Sequence, residues 1–258
     1  MGVGSAALAT VISQFASAIF CMVHLMRVKA EYRLELRQVR FDKRMLQQII
    51  QNGVPSGFQN SVIAIANVFV QSNINAFGKM AMAGCGSYSK VEGFAFLPVT
   101  CFTMALTTFV SQNLGAKQYE RAKKGARFGI LCSISIAELI GVIIYTAAPV
   151  LIAAFNRDPN VVHYGVMQSR TIALFYFLLA FSHCIAAVLR GSGNAAVPMI
   201  VMFCVWCLFR VSYIAVTVRI IPDIRVIFWA YPLTWSISSA IFLFLFLRGK
   251  WVYGFEKK

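Results

Sequence analysis

Residues 128–154 read FGILCSISIAELIGVIIYTAAPVLIAA, an unbroken apolar run whose one charge is Glu138. About 20 residues of helix cross the ~30 Å hydrocarbon core of a bilayer, and this run exceeds that length. Lipid offers no partner for a free backbone N–H or C=O, so such a segment must be a helix or part of a closed barrel. Barrel strands alternate apolar and polar residues in short pieces. Here the apolar residues are continuous, and the segment reads as a spanning helix.

Six more runs of this kind occur, giving seven in all: roughly 3–26, 48–78, 91–114, 128–154, 167–189, 196–218 and 227–247. Composition points the same way, with 59% hydrophobic residues, 13% charged residues and a mean hydropathy of +0.70. The expected fold is an all-α, polytopic membrane bundle of about seven transmembrane helices. The first run is rich in small residues (Gly2, Gly4, Ser5, Ala6, Ala7, Ala9), which lets membrane helices approach closely. The second carries Gly53, Pro55 and Gly57 near its start, which suggests a short amphipathic entry ahead of the spanning part. Residues 27–47 are the one long polar connection, a basic linker expected to hold a surface helix.

The net charge of +15 raises the question of nucleic acid. The basic residues sit mainly between apolar runs and form no stripe along a helix, so no nucleic-acid partner is expected. The seven cysteines lie mostly inside apolar runs and are odd in number, poor material for a disulfide framework. Cys204 and Cys207 form a CxxC within an apolar run, where small packed residues are the favoured reading over metal or redox chemistry. Residues 1–25 lack a basic start and read as a helix rather than a cleaved leader.

Cytoplasmic connections of membrane proteins carry excess Lys and Arg. If 27–47 is cytoplasmic, that side collects seventeen basic residues, including Lys117, Arg121, Lys123, Lys124, Arg127, Arg190 and Arg248, against six on the other side. The expected orientation places the N-terminus outside and the C-terminus inside the cell, in the cell membrane. A first helix that starts almost at Met1, followed by a long linker and six more helices, suggests a chain that begins one helix before a lobe boundary.

Several stretches resemble multidrug and toxic compound extrusion (MATE) transporters. Thr107-Thr108-Phe109-Val110-Ser111-Gln112-Asn113-Leu114-Gly115-Ala116 followed by Glu120-Arg121-Ala122 is similar to the end of that family's eighth helix. Asn52-Gly53-Val54-Pro55-Ser56-Gly57 resembles the start of its seventh, and Gly4-Ser5-Ala6-Ala7-Leu8-Ala9-Thr10 its sixth. Leu189-Arg190-Gly191-Ser192-Gly193 with Pro198 resembles the connection from its tenth to its eleventh. The resemblance implies two six-helix lobes around a central cavity, and exchange of Na+ or H+ for organic, often cationic, compounds. It assigns residues 1–26 to the last helix of an N-terminal lobe, 27–47 to the cytoplasmic linker, 48–248 to the six-helix C-terminal lobe and 249–258 to a cytoplasmic tail. It implies a partner as well, the missing N-terminal lobe or a second copy.

The sequence has no GxxxxGK[ST] loop, no HExxH and no GxSxG, so neither an ATP-driven pump nor an enzyme is expected, and no cofactor beyond a coupling ion. Coupling then rests on polar groups inside the membrane, which are costly there. On 48–78, Ser56, Asn60, Asn67, Gln71 and Asn75 share an arc of one helical face, with Gln59 beside it; this is a cavity lining or a set of interhelix bonds. On 91–114, Thr100, Thr103, Thr107 and Ser111 form a second stripe around Pro98, with Glu92 near the outer boundary. Glu138, inside an apolar run, must pair, neutralise or face water, and Arg210 and His183 are its candidate partners. The substrate and ion pathway is thus assigned to Gln59, Asn60, Asn67, Gln71, Glu92, Thr103, Thr107 and Glu138, with Pro55, Pro98 and Arg190 in structural or gating roles. The carboxylates that some family members carry in helices seven and ten have no counterpart around Ile63 and Leu179. A non-transporting accessory subunit and a flippase for lipid-linked substrates stay open as alternatives.

Overall fold

The computed structural model describes residues 3–29, 33–248 and 250–253. The chain divides into two units, residues 1–47 and 48–258.

The first unit is built on α1 (Val3–Arg27). After it the chain doubles back: Leu34 N–H donates to the Leu25 carbonyl at 3.0 Å, and Arg33 Nε to the Met26 carbonyl at 3.1 Å. The surface helix expected in the linker is reduced, among the described residues, to one 3₁₀ turn, Leu36–Gln38. Leu34 and Leu36 alternate with charged residues at a period of two, which no helical face can gather onto one side. Asp42 then starts α2 (Lys43–Asn75) by accepting from the backbone N–H of Arg44 and Met45 at 2.8 and 3.0 Å.

α2 runs unbroken through Pro55, so the expected separate entry helix is absent. Its buried residues, Gln59, Val62, Ala66, Val70 and Ile74, recur with the helical period and define the face turned to the bundle. The second unit continues with α3 (Lys79–Gly115), α4 (Tyr119–Ala153) and α5 (Pro159–Ile172). A 3₁₀ turn, Ala173–Phe175, joins α5 to α6 (Tyr176–Gly191) within one span. α7 (Ala196–Met202) passes through a π-helical stretch, Phe203–Phe209, into α8 (Arg210–Ile220), again within one span. α9 (Ile224–Leu247) completes the unit, followed by a 3₁₀ turn at Lys250–Tyr253. The all-α bundle expected from the sequence is present. Six helical spans among the described residues are long and apolar enough to cross a membrane. α2 has the length but not the apolarity, because its amides lower it.

The helices reach beyond the apolar runs. Residues 79–90, read from sequence as an outer connection, are the first three turns of α3. Hydropathy locates the hydrocarbon crossing, and a helix is free to continue past it into water. Connections are correspondingly short. α5 opens with Asp158, whose carboxylate accepts from Asn160 N–H at 2.8 Å, and with Pro159 in the first turn. α6 closes in a left-handed cap at Gly193 (φ +79°): Asn194 N–H returns to the Leu189 carbonyl and Gly193 N–H to that of Arg190.

The core lies among α3, α4, α5 and α6, with α9 closing against α6. Close approach rests on glycine. A Cβ on Gly84 of α3 would stand 2.5 Å from the Val161 carbonyl of α5. Trp229 and Tyr231 near one end of the last apolar run, with Trp251 and Tyr253 beyond the other, read from sequence as an aromatic belt, and this holds in part. Trp229 is exposed, but Tyr231 turns inward and Trp251 is buried, stacked on Phe246 at 5.5 Å. The side chain of Tyr253 lies outside the described ones.

Candidate substrate and ion pathway

A cavity of about 620 Å³ opens between α2, α3 and α6. α2 contributes Ser56, Gln59, Asn60 and Ile63; α3 contributes Phe96, Val99, Thr100, Thr103, Met104, Thr107 and Thr108; α6 contributes His183 and Arg190. Past the cavity, the C-terminal end of α2 joins the bundle. There Val70 and Ile74 join Ala81, Cys85, Ile214 and Phe228 in a second apolar cluster. On the opposite wall α3 and α6 cross at Thr107 and Gly191. Thr107 Oγ1 donates to the Thr103 and Ala187 carbonyls, and a Cβ on Gly191 would sit 2.6 Å from the Thr107 carbonyl.

The threonines of the second stripe bond backward along α3: Thr100 to the Phe96 carbonyl at 2.9 Å and Thr103 to that of Thr100 at 2.8 Å. Their donors are spent, and they offer lone pairs and methyl groups to the cavity. Gln59 is 4% exposed, and its Oε1 has no protein partner. Buried Nε2 of His183 is also without one; the ring stands edge-on between Phe96 (5.9 Å) and Trp206 (5.4 Å).

Behind His183 lies a polar and aromatic network in the middle of the bundle. Arg210, 1% exposed, donates from Nη2 to Thr234 Oγ1 at 3.0 Å and from Nη1 to Asn67 Oδ1 at 3.3 Å. Its guanidinium lies over the rings of Tyr231 (4.7 Å) and Trp206 (4.9 Å). Such contacts offset part of the cost of a charge inside a membrane. The π-helical stretch immediately before Arg210 sets the register that places Trp206 beneath it. Trp206 meets Trp235, and Trp235 meets Tyr176. Tyr176 OH shares a 2.8 Å hydrogen bond with Tyr88 OH, and Tyr88 reaches Glu92 Oε1 at 3.4 Å. Glu92 also interacts electrostatically with Arg210.

The expected pathway residues therefore divide. Gln59, Asn60, Thr103, Thr107 and Arg190 come together in the cavity, and Pro98 lies inside α3 next to the wall residue Val99. Asn67 sits with Arg210. Gln71 is exposed and bonds Asn75 one turn on at 2.9 Å, outside the cavity. Glu92 is half-buried in α3, one turn on from Tyr88. Pro55 lies inside α2, one residue before the cavity-lining Ser56.

Glu138 meets neither Arg210 nor His183 in a hydrogen bond or ion pair. Its carboxylate accepts from Phe177 N–H at 3.4 Å, at the start of α6. The 3₁₀ turn before α6 interrupts the helical ladder and frees backbone groups inside the bundle, and Glu138 answers one of them. One turn on, Gly141 packs directly against the Ala173 carbonyl in the same break. Sequence reading missed Tyr88, Tyr176, Trp206, Tyr231 and Trp235. Tyr88 fell in the stretch taken for a connection, and the others read as apolar or interfacial aromatics.

A polar cavity walled by membrane helices, with ionisable groups held inside the bundle, is the architecture of a membrane transport protein. The family model MatE matches residues 55–216. The chain belongs to the MATE family, a family of multi-pass membrane transporters and not of enzymes. It is 28% identical to the probable multidrug resistance protein NorM of Thermotoga maritima, covering 97% of this chain and 54% of that protein. With the probable multidrug resistance protein YoeA of Bacillus subtilis it shares 25% identity over 80% of this chain and 45% of the relative. The fold superposes on an outward-facing multidrug resistance MATE transporter of the MOP superfamily with a TM-score of 0.88, at 20% identity, over 100% of this chain and 58% of that one. A MOP superfamily transporter from Pyrococcus furiosus matches with a TM-score of 0.86 at 19% identity, over 98% of this chain and 57% of that one. The chain thus spans about half the length of the relatives it matches.

Proposed function

We propose that this chain is one lobe of a secondary antiporter that exports organic compounds in exchange for Na+ or H+. The observation that carries the reading is the cavity between α2, α3 and α6, connected through His183, Trp206 and Trp235 to Glu92 and Arg210 in the middle of the bundle. A substrate site and a group able to take up a coupling ion then lie in contact through packed side chains. In this reading residues 48–248 form the lobe, 27–47 the cytoplasmic linker and 249–258 the cytoplasmic tail. Residues 1–26 belong with an opposing lobe, supplied by another polypeptide segment or a second copy. Alternating access needs that second wall.

The N-terminus lies outside and the C-terminus in the cytoplasm of the cell membrane, by the distribution of Lys and Arg. Accessibility labels at Lys124 and Lys79 should report opposite faces; the same face for both would remove this orientation. Export is tested in drug-sensitive cells expressing the chain alone and with a MATE N-terminal lobe. Resistance only when both are present supports the reading, and no resistance in either case refutes it.

A further inference from the structure

We infer that the cavity wall formed by α2, α3 and α6 binds the anionic end of an amphipathic organic anion, with Arg190 as its charged anchor; the inference rests on the export reading and names its substrate class. Arg190 is the one charged side chain among the described residues that line the cavity, the buried His183 ring being neutral, and no carboxylate of the described residues lies within ion-pair distance of it. The acid closest along α3, Glu92, is engaged by Tyr88 and balanced by Arg210. Glu138 sits against the start of α6 and does not line the cavity. The wall therefore carries an unbalanced positive charge, the opposite of what an organic cation requires, and a guanidinium offers a planar fork of donors suited to carboxylate, sulfonate or phosphate.

The rest of the wall fits the remainder of such a molecule. His183 and Arg190 lie seven residues apart on one face of α6, about 10 Å along the axis. An anionic group at Arg190 leaves room for a flat apolar body beside Phe96 and the edge-held His183 ring. Gln59 Oε1, buried and unpartnered, awaits a donor on that body. The threonines of α3 present methyl groups and lone pairs along the same side, because their hydroxyl protons are already committed.

The test uses the purified chain in an uncharged detergent at about 0.15 M salt, where long-range attraction to the net positive charge is screened beyond ~8 Å. Carboxyfluorescein and rhodamine 6G, fused-ring dyes of similar size and opposite charge, are titrated by fluorescence anisotropy. Carboxyfluorescein should bind at least tenfold more tightly than rhodamine 6G. Arg190→Gln should weaken carboxyfluorescein roughly tenfold or more and leave rhodamine 6G unchanged or improved, since charge-assisted bonds are the strong ones. Lys124→Gln removes the same charge from an exposed site outside the cavity and should change either dye less than about twofold. If Arg190→Gln does not elute as a folded species, Arg190→Lys replaces it; it keeps the charge, loses the fork and should weaken carboxyfluorescein about threefold. Tighter binding of rhodamine 6G, or equal losses from Arg190→Gln and Lys124→Gln, overturns the inference and leaves the export reading standing. Binding of neither dye overturns it too, and the resistance assay with both lobes then decides the export reading separately.

Discussion

Two carboxylates lie deep in neighbouring helices, and their surroundings differ in kind. Glu92, in α3, faces a tyrosine hydroxyl and the field of a buried guanidinium, one turn from Phe96 of the cavity wall. Glu138, in α4, faces a backbone N–H at the break between α5 and α6. Hydroxyl and guanidinium side chains rotate and exchange partners, whereas a backbone N–H freed by a helix break stays where the fold puts it. Depth alone therefore does not make an acid a coupling group. What matters is whether its partners can re-form around a proton or a metal cation. On that ground we propose Glu92 as a coupling group and Glu138 as part of the framework.

The largest effect expected from breaking this contrast falls on the Glu138 side. Gly141→Leu would drive a side chain into the Ala173 carbonyl and push α4 away from the helix break. Overpacking against backbone should cost about 3 kcal/mol. Unfolding of the purified chain in detergent measures it, and a variant as stable as the parent would show that α4 has slack there. On the Glu92 side, Arg210→Met leaves Asn67, Thr234 and Glu92 without their common partner. Hydrogen bonds inside membranes average only about 0.6 kcal/mol, so with loss of the ring contacts the sum is about 2 kcal/mol. Tryptophan emission should shift with it, because Trp206 loses the cation above its ring. Unchanged emission would mean that Arg210 is not held there.

These assignments mark where sequence reading succeeds and where it stops. Helix class and number follow from runs such as 128–154, because a lipid environment allows a continuous apolar stretch one backbone solution. Gln59, Asn60, Thr103 and Thr107 were readable as wall residues because helical periodicity puts polar groups on one face. Helix ends were not readable, since the signal at Lys79–Lys90 changes at the lipid boundary while the helix continues. Reading that stretch as a connection left Tyr88 out of consideration. The partner of Glu138 was also beyond reach, because a 3₁₀ turn inside an apolar run leaves no mark in composition.

The two acids can be compared directly by removing the charge from each. Glu138→Gln keeps an oxygen that accepts from Phe177 N–H, and should cost no more than about 1 kcal/mol. With both lobes present it should leave the Na+ and pH dependence of export as in the parent. Glu92→Gln should be equally mild for stability and should abolish that dependence. Unchanged dependence in both variants would remove both acids from coupling and place it in the opposing lobe.

The smallest effect gives the finest discrimination. Tyr88 OH stands between Tyr176 OH and Glu92, whereas Tyr176 OH reaches Tyr88 alone among the hydrogen bonds described. Tyr88→Phe should therefore cost about 1 kcal/mol and Tyr176→Phe about half of that. If Glu92 takes up the ion, its affinity depends on the hydroxyl that supports the carboxylate, so Tyr88→Phe should change the ion concentration for half-maximal export. Tyr176→Phe touches the carboxylate only through Tyr88 and should leave that concentration nearly constant. Equal shifts in the two variants would mean that the hydroxyl pair acts as a unit, and the working region would then extend past Glu92 through α6 toward Trp235.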